Sequence, residues 1–208
     1  MILGFDEAGR GPVLGPMLVG CVSVDDIDML PEGLKDSKKL TENQRESLYE
    51  KLVESDDITT GFLVVSTDEI DSDVSISQLT LEAMSELGNT YGAEGSVWFA
   101  DACLRNESDV SDWLYENADF ESISVVAEHD ADDTYPIVSA ASVVAKHHRE
   151  RIVSELQDEF GDIGSGYPSD ATTKKFLREF METHDTAPEC ARLSWKTVTR
   201  LEEELGLE

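Results

Sequence analysis

The feature that most constrains this chain is the segment at residues 4–12, GFDEAGRGP, in which two adjacent carboxylates follow a short apolar run. The run is too short for a helix, and the glycines at positions 9 and 11 would break one. We therefore predict a β-strand that delivers Asp6 and Glu7 at its end. Because successive strand side chains point to opposite faces, we expect one acid to reach into a site and the other to approach from its rim.

The Gly9-Arg10-Gly11 turn that follows is suited to contact with a phosphate or a sugar. Glycine has no Cβ, so the backbone at Gly9 and Gly11 can come close to a ligand. The guanidinium of Arg10 offers a planar fork of donors that matches phosphate or sugar oxygens. The alternative is a tight turn with a surface ion pair between Arg10 and a neighbouring acid, since short glycine-rich turns are common between strands.

The chain is strongly acidic, with 45 Asp and Glu against 16 Lys and Arg and a formal net charge of -29 at pH 7. Such a surface repels nucleic acid at ordinary ionic strength, because binding depends on contacts between cations and phosphates. Disorder would account for the acidity, but 40% hydrophobic residues in regular blocks argue against it. We predict a folded protein of a halophilic cytoplasm, where salt screens the repulsion.

The chain length predicts one domain with a small terminal extension, since 208 residues are enough to bury one hydrophobic core. The cysteines at positions 21, 103 and 190 lack metal-ligand spacing and are expected to be buried thiols in a reducing compartment. We expect no signal peptide before Asp6, and the uncharged run at residues 12–24 is too short to span a bilayer. We therefore expect no membrane association.

Hydrophobic patterning predicts five strands interleaved with helices, which indicates an α/β fold with a sheet of mixed direction. Thr41 and Gln44 form a predicted capping box at the start of the first helix. The predicted strands are residues 2–5, 17–24, 59–66, 96–100 and 123–127, and the predicted helices are residues 42–54, 76–87, 108–117, 136–160, 172–183 and a last one from about residue 195.

Three of the five predicted strands end in carboxylates: Asp6 with Glu7, Asp101, and a cluster at residues 128–133. Sites of open α/β sheets collect at strand ends, and carboxylates without nearby His ligands suit Mg²⁺ or Mn²⁺. Two such ions can activate a water and stabilise the leaving oxygen of a phosphodiester. Among 45 acids some follow strands by chance, so that alternative stays open for Asp101 and the 128–133 cluster.

Cations are scarce here, so those that remain are informative. Lys38, Lys39 and Lys146 are predicted to contact phosphate, with ion pairs to nearby acids as the alternative. Tyr167 stands between a glycine and a proline and is a candidate for stacking on a base or sugar. Packing of its ring within a loop is the alternative for Tyr167.

Taken together, these segments resemble the ribonuclease HII family, and its archaeal branch in particular. The matching segments span nearly the whole chain in the order that the family has them. They are residues 4–12 (GFDEAGRGP), 36–40 (DSKKL) with Arg45, 101–102 (DA), 135–146 (YPIVSAASVVAK) with Arg149, 164–170 (GSGYPSD) and 194–197 (SWKT).

The resemblance implies a ribonuclease H-like fold, with a mixed five-stranded sheet flanked by helices and a helical C-terminal extension. Residues 1–160 would form the catalytic domain and residues 161–208 the extension packed on it. The implied activity is an endonuclease that hydrolyses the RNA strand of RNA–DNA hybrids and cuts 5′ to ribonucleotides in duplex DNA, leaving 3′-hydroxyl and 5′-phosphate ends. The alternative is a non-catalytic hybrid-binding protein, which loss of one of the family's four acids would have favoured; none is lost. We expect a monomer.

The resemblance also assigns roles to individual residues. It implies that four acids bind two Mn²⁺ or Mg²⁺ ions, with Asp133 as the alternative to the fourth; they are Asp6, Glu7, Asp101 and Asp132. It implies that the turn at residues 9–11 contacts the ribose 2′-hydroxyl, which distinguishes RNA from DNA, and that Tyr167 packs on the nucleotide at the RNA–DNA junction. The implied contacts to the substrate backbone come from Ser37, Lys38, Ser139, Ser142 and Lys146.

Two departures from the family pattern affect binding. Asp130 stands where archaeal relatives commonly carry Lys, so one phosphate contact is in doubt. Residues 201–208 lack the paired aromatic residues that would suggest a tail for binding a sliding clamp.

Overall fold

A computed structural model of the chain describes residues 1–34 and 40–207, and within these residues it has five strands and eight α-helices. The strands are β1 (Ile2–Ala8), β2 (Met17–Val24), β3 (Ile58–Val65), β4 (Val97–Asp101) and β5 (Ser124–Glu128). The helices are α1 (Glu42–Glu54), α2 (Thr67–Ile70), α3 (Ile76–Tyr91), α4 (Glu107–Glu116), α5 (Ala131–Thr134), α6 (Pro136–Phe160), α7 (Ala171–His184) and α8 (Lys196–Leu205).

The five strands form one sheet in the order β3-β2-β1-β4-β5. β1 pairs antiparallel with β2, and β2 pairs antiparallel with β3. β1 pairs parallel with β4, and β4 pairs parallel with β5. The predicted mixed sheet is confirmed. Because β1, β4 and β5 run in the same direction, their carboxyl ends meet at one edge, where the predicted acids follow them.

Helix α6 lies unusually close to the sheet, because glycines face it from the two central strands. A Cβ added at Gly4 of β1 would lie 2.3 Å from the carbonyl oxygen of Ile137. A Cβ added at Gly20 of β2 would lie 2.4 Å from the carbonyl oxygen of Ala141. The buried run of α6, from Ile137 to Ala145, therefore packs backbone against backbone, and this brings the next residues of the helix to the end of β1.

The opposite face of the sheet is covered by α3 and α4. Phe5 and Trp98 meet there edge to face, with ring centroids 5.6 Å apart, and Met84 and Leu114 pack into the same cluster. A second cluster lies beneath α6 and α1, so the central strands are buried on both faces. This burial fixes β1 firmly at the point where it delivers its acids.

The last third of the chain builds a third cluster from α7, α8 and the end of α6 around the loop that follows β1. Val13 and Leu14 of that loop pack into this cluster with Leu177 and Val198. The backbone N–H of Gly15 also donates to the carbonyl of Cys190 at 2.7 Å. The C-terminal helices thus hold the loop after β1, while the proposed division at residue 160 stays a prediction.

Element positions agree closely with those expected from the sequence. Helices α1 and α6 have the predicted bounds, and the Thr41–Gln44 capping box is present. The four-residue helices α2 and α5 were not predicted. All three cysteines are free and buried, as expected. In the described part of the chain, no helix is long and apolar enough to cross a membrane.

The close approach of α6 to the sheet can be tested with a single methyl group. We expect Gly4→Ala to lower the free energy of unfolding by about 2 kcal/mol, because the methyl group would overlap the backbone of Ile137. The matched control is Gly95→Ala, where φ is +79° and nothing lies within 4 Å of the added Cβ, so only about 1 kcal/mol of backbone strain is expected. Equal losses in denaturant titrations at one KCl concentration would contradict the tight packing.

Candidate active site

Three of the four predicted acids come together at the carboxyl edge of the sheet. Asp6 and Glu7 lie near the end of β1, and Asp101 is the last residue of the parallel neighbour β4. One carboxylate oxygen from each lies within 4.8 Å of one from each of the others. Asp6 is 5% exposed, and Glu7 reaches the same cluster from the partly exposed rim. Two acids of one strand and one of its neighbour therefore share a single small volume.

This crowding makes the ionised carboxylates unfavourable. Burial raises the pKa of Asp6 well above its usual value, and the nearby charges of Glu7 and Asp101 raise it further. Ser142 and Lys146 lie near enough to oppose the rise. Burial also raises the pKa of Glu7, with Asp101 adding to the effect and Arg10 opposing it. A bound cation would relieve the repulsion that these shifts report.

The donor set fits a hard divalent cation. All three groups offer carboxylate oxygens, the ligands that Mg²⁺ and Mn²⁺ prefer. Glu7 accepts a hydrogen bond from Arg10 through Oε1 at 3.2 Å, while its Oε2 is buried without a hydrogen-bond partner among the described residues. A buried carboxylate oxygen left without a partner is costly, and a metal ion at this position would satisfy it.

Asp132, the fourth predicted acid, lies beside Lys146, whose charge also acts on Asp6. It belongs to α5, which follows β5 and is anchored where the Ala131 N–H donates to Asp101 Oδ1 at 2.8 Å. Asp132 Oδ2 is 4.0 Å from Lys146 Nζ, and the side chain is buried, whereas Asp133 is exposed. Asp132 groups with Asp130 and Asp133 rather than with the three strand-end acids. Asp132 is thus the buried member of the pair Asp132 and Asp133, and its role as the fourth acid stays a prediction.

A cleft of about 380 Å³ opens beside the acids. It joins the Gly-Arg-Gly turn to residues that lie more than 130 positions further along the chain. Its lining residues are Glu7, Ala8, Gly9, Arg10, Gly11, Lys146, Arg149, Glu150 and Tyr167. The structure therefore brings five of the predicted substrate-binding residues, at positions 9, 10, 11, 146 and 167, into one cavity next to the candidate metal site.

A fully buried arginine holds the Gly-Arg-Gly turn in place. Arg192 donates from Nε to the carbonyl of Gly15 at 2.8 Å, from Nη1 to that of Arg10 at 3.0 Å, and from Nη2 to that of Gly9. Burial lowers its pKa to about 10, so it stays charged at neutral pH. Sequence reasoning missed this residue; the only available signal was an arginine in a stretch without acids, residues 190–201.

Arg10 itself is engaged with the protein. It pairs with Glu7 and donates from Nη2 to the carbonyl of Cys103 at 2.9 Å. The alternative from the sequence, a turn with an ion pair to a neighbouring acid, therefore describes the contact that the structure shows. The ion pair lies inside the cleft, however, and the guanidinium remains partly exposed to it.

Arg149 is a second cleft residue to which the sequence analysis gave no role. Its guanidinium lies over the ring of Tyr167, 5.6 Å from the centroid. Its Nε and Nη2 atoms are buried without hydrogen-bond partners in the described structure, and burial lowers its pKa. The spacing was the available signal, since Arg149 lies one helical turn after Lys146 on α6.

Of the remaining predicted contacts, the structure describes Ser139 and Ser142, and neither lines this cleft. Ser139 is buried and donates its hydroxyl to the carbonyl of Leu34. Ser142 is buried near Asp6, and its hydroxyl has no hydrogen-bond partner of good geometry in the described structure. Ser37, Lys38 and Lys39 lie outside the described residues. The substrate contacts of all five stay predictions.

Comparison with known proteins decides the family. A family model described as Ribonuclease HII matches residues 3–198, which is nearly the whole chain. The chain belongs to the ribonuclease HII family. Curated relatives named Ribonuclease HII include one from Methanococcus maripaludis strain C7, 40% identical over 99% of this chain and 88% of the relative. Others come from Thermococcus onnurineus, 41% identical over 100% and 92%, and Natronomonas pharaonis, 39% identical over 98% and 94%.

Solved structures give the same answer for the fold. The ribonuclease H2 of Pyrococcus horikoshii superposes with a TM-score of 0.91 at 36% identity, covering 100% of this chain and 99% of that one. A complex of PCNA with RNase HII from Archaeoglobus fulgidus matches with a TM-score of 0.87 at 38% identity, covering 97% and 96%. The predicted ribonuclease H-like fold and archaeal resemblance are confirmed. As a ribonuclease HII, the chain is a metal-dependent endoribonuclease.

Arg192 offers a direct test of how this ribonuclease HII holds its Gly-Arg-Gly turn. A lysine cannot reach three carbonyls in one plane, so we expect Arg192→Lys to lower the free energy of unfolding by about 2–3 kcal/mol. We also expect KM for a nucleic-acid substrate to rise more than kcat falls, because the turn lines the cleft. Arg151→Lys, an exposed change on α6, is the control. A loss of stability with KM unchanged would show that Arg192 does not position the turn.

Proposed function

We propose that this chain hydrolyses the RNA strand of RNA–DNA hybrids and cuts 5′ to single ribonucleotides embedded in duplex DNA, leaving 3′-hydroxyl and 5′-phosphate ends. One observation carries the proposal. Three crowded carboxylates, one with an unsatisfied buried oxygen, adjoin a cleft formed by the Gly-Arg-Gly turn, Lys146 and Tyr167. Membership of the ribonuclease HII family supports assigning this arrangement to phosphodiester hydrolysis.

The proposed metal site holds two Mn²⁺ or Mg²⁺ ions on Asp6, Glu7 and Asp101, with Asp132 as the fourth acid. The raised pKa values of Asp6 and Glu7 and the unpartnered Glu7 Oε2 support it. Divalent ions supply positive charge that favours ionisation of the attacking water and stabilises the leaving oxygen. Within the protein, Lys146 holds Asp132 and offsets the charge of Asp6.

The cleft residues are proposed to select and position the ribonucleotide. The backbone at residues 9–11, fixed by Arg192, contacts the 2′-hydroxyl that only RNA carries. Tyr167 packs on the adjacent nucleotide. The guanidinium of Arg149 lies over the ring of Tyr167 and restricts its movement. The ammonium of Lys146, which lines the cleft, binds phosphate oxygens. A deoxynucleotide makes all these contacts except the first, so the turn carries the selectivity.

The acidic surface is proposed to reflect a halophilic cytoplasm in which the protein acts as a monomer. At a net charge of -29, repulsion from a polyanion opposes binding in dilute buffer. Salt at molar concentration shortens the screening length to about 3 Å, so only contacts made inside the cleft are felt. We therefore expect activity to rise with KCl over the range in which the fold is maintained.

The test is cleavage of a labelled DNA duplex carrying one ribonucleotide, beside an all-DNA duplex and an RNA–DNA hybrid, with Mn²⁺, Mg²⁺ or EDTA. We expect a single metal-dependent cut 5′ to the ribonucleotide and no cut in DNA. Asp6→Asn should lower turnover by about a thousandfold or more, since a lost metal ligand removes several kcal/mol of transition-state stabilisation.

Asp133→Asn is the matched control, because it makes the same change at an exposed acid of α5. It should keep near-normal turnover if Asp132 is the fourth acid. Turnover by Asp6→Asn close to that of the unmodified chain would refute the proposed site. A folded chain that cleaves nothing at any salt or metal concentration would support the hybrid-binding alternative.

A further inference from the structure

A second cleft, of about 490 Å³, lies between α7 and α8. Its lining residues are Pro168, Lys174, Arg178, Thr197, Arg200, Leu201 and Glu204. It adjoins the active-site cleft in the chain, since Pro168 directly follows Tyr167, which lines the first cleft. We call this second cavity the α7–α8 cleft.

Five of the seven described residues that line the α7–α8 cleft come from segments that lack acids, and Glu204 is the one acid among those seven. In a chain with 45 Asp and Glu, residues 171–178 and 190–201 contain none, yet they hold six of the 16 cations. The first cleft follows the same pattern, because residues 8–24 and 134–149 are also free of acids and supply most of its lining. In an acidic chain, cations thus outnumber acids among the described residues that line both clefts, by three to two in the first and by three to one in the α7–α8 cleft, and an excess of cations favours a polyanion.

Helical spacing places the cations of α7 and α8 along the same cavity, the α7–α8 cleft. Lys174 and Arg178 are four residues apart on α7, while Thr197, Arg200 and Leu201 share one face of α8. Arg178 is already paired with Glu182 and Glu204. Within residues 1–34 and 40–207, Lys174 and Arg200 form no ion pair, and both are exposed. Two positive charges therefore face the cleft with no partner from the described protein.

We propose that the α7–α8 cleft binds the phosphate backbone of the duplex at a distance from the cut. Lys174 and Arg200 contact phosphate oxygens there, Thr197 offers a hydroxyl donor, and Arg178 remains held by its two glutamates. The inference rests on the proposed function, because the backbone reaches the cleft only when the ribonucleotide lies against Tyr167. The C-terminal extension then adds affinity from substrate that flanks the reacting bond, in a protein whose overall charge opposes binding.

The test measures binding without chemistry, so that it does not depend on turnover. Asp6→Asn is titrated onto a fluorescein-labelled duplex with one ribonucleotide, and anisotropy is recorded over a series of KCl concentrations. Adding Lys174→Gln and Arg200→Gln should raise Kd about tenfold at the lowest salt that keeps the fold. It should also lower the slope of log Kd against log [KCl] by about 2, whether that slope is positive or negative in the Asp6→Asn parent.

The matched control adds Lys51→Gln and Lys175→Gln, which remove the same charge from exposed lysines outside both clefts. Circular dichroism checks that each variant is folded. A Kd and a salt slope equal to those of the control would overturn the proposal and leave the proposed function standing, provided that the unmodified chain cleaves. If the chain cleaves no substrate, the proposed function fails, while a difference from the control would still support a phosphate site.

Duplex length gives a second, independent readout. The duplex is shortened in steps on either side of the ribonucleotide. The tenfold difference between the Lys174→Gln/Arg200→Gln variant and its control should vanish once the duplex no longer reaches the α7–α8 cleft from one side. A difference that persists on the shortest duplex that still binds would contradict a site at a distance from the cut.

Discussion

The cost of placing three carboxylates together at the ends of two buried strands governs the rest of this structure. One carboxylate oxygen from each of Asp6, Glu7 and Asp101 lies within 4.8 Å of one from each of the others. Burial and mutual repulsion raise the pKa values of Asp6 and Glu7. The nearby cations offset this only in part: Lys146 from α6, and Arg10 from the turn. α6 can contribute because Gly4 and Gly20 let it approach the sheet closely. A site that stays strained without metal is prepared to bind it.

The C-terminal helices complete the site instead of merely extending the domain. Arg192 fixes the backbone of the Gly-Arg-Gly turn, and Tyr167 in the loop before α7 lines the cleft together with Arg149. The same region concentrates cations in a chain that has few. Support of the turn and part of the cleft lining therefore both come from the last quarter of the chain.

Local signals made much of this predictable, and long-range contacts explain what was missed. The bounds of α1 and α6 follow from a capping box and from Pro136 at the first helical turn, both readable within a few residues. The meeting of Asp6 with Asp101 follows from parallel strand ends. Arg192 could not be found in this way, because its carbonyl partners lie 177 to 183 residues away. The placement of Asp132 depended on α5, which is too short for periodicity to reveal.

The most direct test of the central claim, that these carboxylates form a divalent-cation site, is thermal unfolding with Mn²⁺ or EDTA at one KCl concentration. At 100 times Kd, Mn²⁺ should raise Tm by about 5–10 °C, because binding then adds about 2.7 kcal/mol to stability. Asp6→Asn should lose this shift. Its Tm in EDTA should be no lower than that of the unmodified chain, because folding raises the pKa of the Asp6 carboxyl and its negative charge therefore destabilises the folded state. Asp133→Asn should retain the shift. An equal Mn²⁺ shift in Asp6→Asn, or none in the unmodified chain, would contradict the account.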